Sequence, residues 1–282
     1  MFDSIEKPPV CGIACGEAID LLRAYPDDSL GLAVTSPPYN IKMPYADGVS
    51  DNRKNYDEWT LAWIRETLRV CRDGLMMNLA PSPSTSTKFF QVMGLIAQHF
   101  HIQNSWVWVK SISINETTYG HFKPVNSDTH THVAHEHVVL IQKDKKHEVK
   151  LARKAIGVPY MDKSNIKRFN HESDLRCRGS TWFLPYKTRQ KSLDHPATYP
   201  EDFARMMIQV VDTTGIVLDP FVGSGTTMVA AHQLGLRSIG FDKSPTYCEM
   251  TRARLEKLPN PPRLALQGFG ETHGTGDEAN PL

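Results

Sequence analysis

Val217-Leu218-Asp219-Pro220-Phe221-Val222-Gly223-Ser224-Gly225-Thr226-Thr227 reads as a buried strand, a glycine turn and the start of a helix. The apolar run from Ile216 to Leu218 suits a short core strand. Gly223 and Gly225 permit positive φ and a close backbone approach. Thr226 and Thr227 open a helix running through Leu234, which Gly235 caps. Ser238 to Phe241 is the next strand, and it ends at Asp242. Strand, helix and strand in this order predict an α/β fold. A phosphate loop would carry Gly-Lys-Ser/Thr, and no lysine follows here. Asp242, at a strand tip roughly 20 residues past the glycines, is placed to bind ribose hydroxyls.

Downstream, Tyr247 to Leu258 reads as a final helix, and 259–282, rich in Pro, Gly and Asn, as a disordered tail. Upstream, Pro200 followed by Glu201 and Asp202 starts a helix that reaches about Val211. Further up lies a block from Lys143 to Lys191 with 14 Lys/Arg against 5 Asp/Glu, a net of +9. The remainder is −8, so the overall +1 hides a strongly basic segment. Such a segment suits a polyanion, and Tyr160, Phe169, Trp182 and Tyr186 within it point to nucleic acid rather than a solvated lysine loop.

The first half alternates helix and strand: a helix from Ala18 to Ala24, a strand from Leu30 to Val34, and a helix from Tyr56 ended by Asp73-Gly74. A strand from Leu75 to Leu79, a helix from Thr85 to Phe100 and a strand from Ile102 to Val109 follow. Ile112 to Asp128 has no period and reads as loop. His135 and His137 share one face of a strand from Val133 to Ile141, but no carboxylate or cysteine at ligand spacing completes a metal site. Cys11 and Cys15 could form half of one, with no second half. The five scattered cysteines read as reduced thiols. No apolar run approaches the ~18 residues of a bilayer span, and residues 1–6 do not read as a signal peptide.

Ser36-Pro37-Pro38-Tyr39 stops the Leu30–Val34 strand abruptly. Neither proline has an N–H, so the turn presents acceptors: the Ser36 hydroxyl and the Ser36 and Pro37 carbonyls. Tyr39 adds an aromatic face. Such a turn suits a planar group bearing an exocyclic NH2. Asn40 to Asn55 reads as a mobile loop placed to close over substrate.

The Ser-Pro-Pro-Tyr turn and the Phe-x-Gly-x-Gly turn together resemble the two signature motifs of DNA amino-methyltransferases. The motif order, catalytic turn, then basic region, then glycine turn, resembles the β group of that family. The resemblance covers roughly residues 12 to 257. It implies a sequence-permuted, Rossmann-like seven-stranded sheet using S-adenosyl-L-methionine (AdoMet). Its divisions are a catalytic half over 12–142, an inserted target-recognition region over 143–191 and an AdoMet-binding half over 192–258.

The resemblance also assigns residues. Catalysis falls to Ser36, Pro37, Pro38 and Tyr39, with Tyr39 stacking on a flipped base. Cofactor contacts fall to Glu17, Ala18 and Ser36, to His195, Pro196, Ala197 and Thr198, and to Asp219, Phe221, Gly223, Ser224, Gly225, Thr226 and Thr227, with Asp242 and Lys243. Backbone N–H groups at the helix start suit the AdoMet carboxylate, and an acid suits its ammonium. The family's usual acid at position 17 is Asp, and Glu17 is one methylene longer. DNA contacts are expected from Asn40, Lys42, Arg53 and Lys54, and from Arg168, Arg176, Arg178, Lys187 and Arg189. The His-Glu pair at 135–136 is common in the family as a structural feature.

Ser at position 36 is often the cytosine-N4 form, and Asp the adenine-N6 form. Pro-Pro-Tyr-Asn-Ile and Tyr56-x-x-Trp59 resemble adenine-specific, cell-cycle-type members and tip the reading toward adenine. No Pro-Cys dipeptide of the C5-cytosine enzymes is present. A protein-glutamine methyltransferase would carry its motifs in the opposite order, and a non-catalytic DNA-binding regulator would leave the glycine turn unexplained. Expected partners are double-stranded DNA, a second copy of the chain, and either a cognate restriction enzyme or none. The implied setting is the cytoplasm of a bacterium or phage host, at the nucleoid.

Overall fold

The structure is a computed structural model of the 282-residue chain, and it describes residues 12–81, 86–114, 117–120, 128–159, 175–177, 179–185 and 198–259. The first elements are β1 (Gly12–Cys15), α1 (Ala18–Arg23), β2 (Ala33–Thr35), α2 (Tyr56–Val70), β3 (Leu75–Leu79) and α3 (Ser86–His99). Next come β4 (His101–Val109), the hairpin β5 (Ser111–Ile114) and β6 (Thr117–Gly120), and β7 (His135–Gln142). The basic block contributes α4 (Arg153–Ile156), β8 (Gly157–Pro159), β9 (Leu175–Cys177) and β10 (Thr181–Phe183). The last are α5 (Glu201–Val210), β11 (Val217–Asp219), α6 (Thr226–Gln233), β12 (Ser238–Asp242) and α7 (Pro245–Glu256).

Among the described residues eight strands form the main sheet, in the order β1-β12-β11-β2-β3-β7-β4-β10. All neighbours run parallel except β7, which is antiparallel to both β3 and β4. Alternation along each strand sends side chains to two separate cores. On one face Ala33, Leu75, Met77, Leu79, Val139 and Ile141 meet the helices α1, α2 and α3. On the other, Val34, Met76, Trp106, Trp108, Val138 and Leu140 meet α5 and α6. Burying a side chain such as Phe203, fully enclosed on α5, contributes roughly 1.5–3 kcal/mol.

Four sequence expectations change. The sheet has eight strands rather than seven, because Trp182 of β10 stacks on Trp106 at 5.3 Å and carries its strand onto the β4 edge. Within the expected loop from Ile112 to Asp128, the described residues 112–114 and 117–120 are paired antiparallel strands rather than loop. Their side chains are mostly exposed on both faces, which erases the period that would have signalled strands. β1, four residues with a leading glycine, was not anticipated. The segment Asn40–Asn55, expected to be mobile, is cross-tied. Buried Asp51 accepts from the Ile41 N–H at 3.0 Å and the Met43 N–H at 2.7 Å. Asn40 Oδ1 accepts from the Arg53 N–H, and Asn40 Nδ2 donates to the Arg53 carbonyl. The expected tail, from 260 on, lies outside the described residues. Cys15, Cys71, Cys177 and Cys248 are all free thiols. Among the described residues no helix is long and apolar enough to cross a membrane.

Candidate active site

The strand order reverses between β11 and β2, and a crevice opens there at the carboxyl ends of the parallel strands. It is a cavity of about 540 Å³ lined by both turns singled out in the sequence, Ser36 to Tyr39 and Asp219 to Ser224. That volume lies in the usual range for a small-molecule site.

β11 delivers Asp219 to the floor. This carboxylate is buried and accepts from Thr35 Oγ1 at 2.6 Å, Thr227 Oγ1 at 2.5 Å and the Phe221 N–H at 3.1 Å. Burial pushes it up to about 6, against the pull of those hydrogen bonds. Tyr199 hydrogen-bonds Thr227 in turn. The turn beyond is left-handed at both glycines, φ +50° at Gly223 and +80° at Gly225. A Cβ on Gly225 would sit 2.5 Å from Thr251 Cγ2, so the turn has no room for a side chain there. α7 braces it: Thr251 Oγ1 donates to the Gly223 carbonyl and Arg254 Nη1 to the Ser224 carbonyl.

Asp242, at the tip of β12, accepts from the Gly223 N–H at 2.9 Å and the Ser244 N–H at 2.8 Å. Burial raises it, offset in part by those backbone donors. Each oxygen keeps a lone pair for a further donor. Glu17 stands beside it, between Lys243 Nζ at 2.6 Å and Arg53 Nη2 at 3.3 Å. Burial works to raise Glu17, but the Lys243 hydrogen bond and the Arg53 charge outweigh it and hold the carboxyl low. Ala18 follows at the start of α1 and lines the same wall. Arg53 also lies 4.5 Å over the Trp59 ring, so this cation, expected on DNA, is taken up by the cavity wall. Trp59 in turn packs 5.5 Å from Phe221.

The Ser36–Tyr39 turn is held from two sides. Tyr56 donates its hydroxyl to the Pro38 carbonyl at 2.7 Å. Ser36 Oγ and Tyr39 OH hydrogen-bond at 2.8 Å. The Tyr39 ring packs against the α2-side core, so one face is committed to protein. Burial, with the nearby Glu136 charge, pushes its phenol well above the ordinary value despite the Ser36 hydrogen bond. The loop after the turn folds back over the cavity. Asp47 takes Ser244 Oγ, Thr246 Oγ1 at 2.8 Å and the Thr246 N–H at 3.0 Å, all at the start of α7.

Of the remaining expected residues, Thr198, Thr226 and Lys243 line the cavity. His195, Pro196 and Ala197 lie outside the described residues, as do Arg168, Arg178, Lys187 and Arg189. Arg176 lies in β9. Lys42 and Lys54 are exposed on the loop. Among the lining residues that sequence reasoning did not assign are Asn78, Lys110 and Glu136. The alternation of β3, β4 and β7 was the available signal, since it puts all three on the Ser36 side of the sheet. His135 and His137 share the opposite face, their rings 5.3 Å apart. Among the described residues no group of three or more His, Cys, Asp or Glu could hold a metal ion.

A family model described as DNA methylase matches residues 30–253. The chain is 27% identical to the type II methyltransferase M.HpaI of Haemophilus parainfluenzae, over 86% of this chain and 74% of that one. It is 22% identical to M.BamHI of Bacillus amyloliquefaciens, over 91% of this chain and 59% of that one. Among solved structures, the cytosine-N4-specific PvuII DNA methyltransferase superposes with a TM-score of 0.64 at 18% identity, over 91% of each chain. TTHA0409 of Thermus thermophilus, solved with S-adenosyl-L-methionine, superposes with 0.56 at 21% identity, over 86% of this chain and 94% of that one.

Proposed function

The chain belongs to the N6/N4 DNA methylase family, and from that premise we propose that its cavity binds AdoMet beside a flipped base and methylates the base's exocyclic amine. The observation that carries this reading is a shared cavity, lined by the amine-accepting turn and the glycine turn together.

The residues present fit AdoMet. Its ammonium meets Asp219, ionised above about pH 6, and its carboxylate meets the N–H groups opening α6. Its ribose hydroxyls meet the free lone pairs of Asp242. Trp59 and Phe221 give an apolar wall to the adenine, and Glu17 an acceptor for its amine, with Lys243 already holding one oxygen. When bound, AdoMet supplies an electrophilic methyl on a sulfonium.

The chain's own part is positioning. The target base leaves the duplex to reach Ser36. Ser36 Oγ and the Pro37 carbonyl accept from the NH2 and localise the nitrogen lone pair, otherwise delocalised into the ring, for attack on the methyl. Tyr39 walls the pocket and fixes Ser36. The nitrogen gains a methyl as the S–CH3 bond breaks with its electron pair left on sulfur, and the surplus proton on the nitrogen passes to water, with no covalent enzyme intermediate. Holding the reactants in near-attack geometry supplies most of the acceleration in such a direct transfer.

Adenine N6 is the acceptor we favour, from Tyr56 and Trp59. The second reading, cytosine N4, rests on Ser36 in place of Asp. Expected alongside are a homodimer, lysines 42 and 54 on the DNA phosphates, a cytoplasmic setting, and either a partner restriction enzyme or an orphan role. The test is nucleoside mass spectrometry of unmethylated DNA after incubation with the purified protein and AdoMet. N6-methyladenine is expected; N4-methylcytosine alone moves the reading to cytosine, and no methylated nucleoside refutes it.

A further inference from the structure

We propose that Glu136 is a positioning residue for the amine pocket, acting on Ser36 through Asn78 and Tyr39. The inference rests on the functional reading above and goes beyond it to a strand whose residues the motifs do not explain.

The argument begins with alternation. His137 on β7 faces α3, where its ring lies 4.9 Å from Phe89. Glu136 therefore faces the other way, between β3 and β4. Its Oε2 accepts from Asn78 Nδ2 at 2.6 Å, and its Oε1 from Lys110 Nζ at 2.9 Å. The ion pair is largely enclosed, with side-chain exposures of 15% for Glu136 and 19% for Lys110. Well-packed apolar side chains would fill such a place at no greater cost, so stability is a poor reason for it. The cavity it borders is a better one.

Asn78 is the link. It is 1% exposed, and its Oδ1 has no hydrogen-bond partner among the described residues. Turning the amide over would aim Oδ1 at the Glu136 carboxylate, oxygen against oxygen. Glu136 thus fixes which end of the amide faces which way. In that orientation Asn78 Nδ2 also lies 3.5 Å from Tyr39 OH, which itself contacts Ser36 Oγ at 2.8 Å. Lys110 keeps the carboxylate in place from the far side. The chain Lys110, Glu136, Asn78, Tyr39 and Ser36 spans four strand ends and finishes at the oxygen that receives the amine. The Glu136 charge also disfavours ionisation of Tyr39, so the phenol keeps the proton it shares with Ser36.

The experiment is steady-state methylation by the full chain and by Glu136→Ala, Glu136→Gln, Tyr39→Phe and the Tyr39→Phe/Glu136→Ala double variant. AdoMet affinity by calorimetry and a thermal melt accompany each. Glu136→Ala is expected to lower kcat by about 10- to 100-fold while KM for DNA and AdoMet affinity hold, since only alignment is lost. Glu136→Gln, which still accepts from Asn78, is expected to recover most of kcat. In the Tyr39→Phe background the Glu136→Ala loss is expected to shrink to about threefold or less, because the two act as one unit. Should Glu136→Ala not fold, Asn78→Ala cuts the same chain one link later, and kcat must fall there too. A folded Glu136→Ala or Asn78→Ala with wild-type kcat overturns the proposal, as does a loss undiminished by Tyr39→Phe. Wild-type protein inactive on DNA refutes the functional reading itself and this inference with it.

Discussion

Gly225→Ala puts a methyl where the backbone turns left-handed and the neighbour is already in contact. The residue sits at φ +80°, and the new Cβ would lie 2.5 Å from Thr251 Cγ2 and 2.9 Å from Thr251 Oγ1. The left-handed conformation costs a non-glycine residue about 1–2 kcal/mol. Thr251 is fully buried and its hydroxyl holds the Gly223 carbonyl, so it cannot swing away without releasing the turn. Forcing an extra methyl into such a contact adds about 1–3 kcal/mol. The sum, roughly 2–5 kcal/mol, corresponds to a fall in melting temperature of roughly 3 to 9 °C for a chain of this size. Gly48→Ala is the control, because Gly48 has φ +67° and nothing within 4 Å of an added Cβ. It should show the backbone cost alone. The turn also supplies the N–H groups proposed for AdoMet, so Gly225→Ala should weaken AdoMet at least tenfold, about 1.4 kcal/mol. Calorimetry and thermal melts read both effects. A Gly225→Ala protein that melts with Gly48→Ala and binds AdoMet like wild type would refute this account of the turn.

Ser36→Ala and Tyr39→Ala should each abolish methylation in a tritium-transfer assay while AdoMet binding persists; equal loss of both would reverse the role assignment. Asp219 ties affinity to pH. Its proton is held to about 6 in the folded state, above the ordinary 3.8. AdoMet affinity should therefore rise as pH climbs through about 6, while the group's contribution to stability falls between about pH 4 and 6, where the folded state holds the extra proton. Calorimetry from pH 5 to 7.5 and melts from about pH 3.5 to 7.5 check both signs, and Asp219→Asn should remove the step. Asp47→Ala should free the loop over the cavity, seen as faster proteolysis within residues 40–55 and faster AdoMet dissociation, with the fold unchanged by circular dichroism.

Much of this was legible because the deciding elements carry strong local signals. Leu75–Leu79, the Tyr56 helix and the strand into Gly223 were readable from period and punctuation, and their observed bounds differ by a residue or two at most. Less was legible where contacts with distant residues decide. β10 is a strand because Trp182 finds Trp106, a pairing no three-residue window reveals. The β5–β6 hairpin buries too little to imprint a period. Arg53 reads as a DNA cation in a polar loop, and only the folded loop brings it onto Trp59 and Glu17. At 135–137 the histidines drew the eye toward metal chemistry, while the residue between them faced the cavity.

The seam of the sheet lies between β2 and β11, joined by the single register pair Leu218 and Ala33. There Thr35 reaches Asp219 across 184 positions of chain. A ribosome making this protein releases the Ser36–Tyr39 turn long before the glycine turn exists. The nascent chain can therefore not close the seam until Asp219 and the glycine turn have emerged. Long-range pairing of this kind is slow, so the seam, and the crevice that opens at it, is expected to close late in folding.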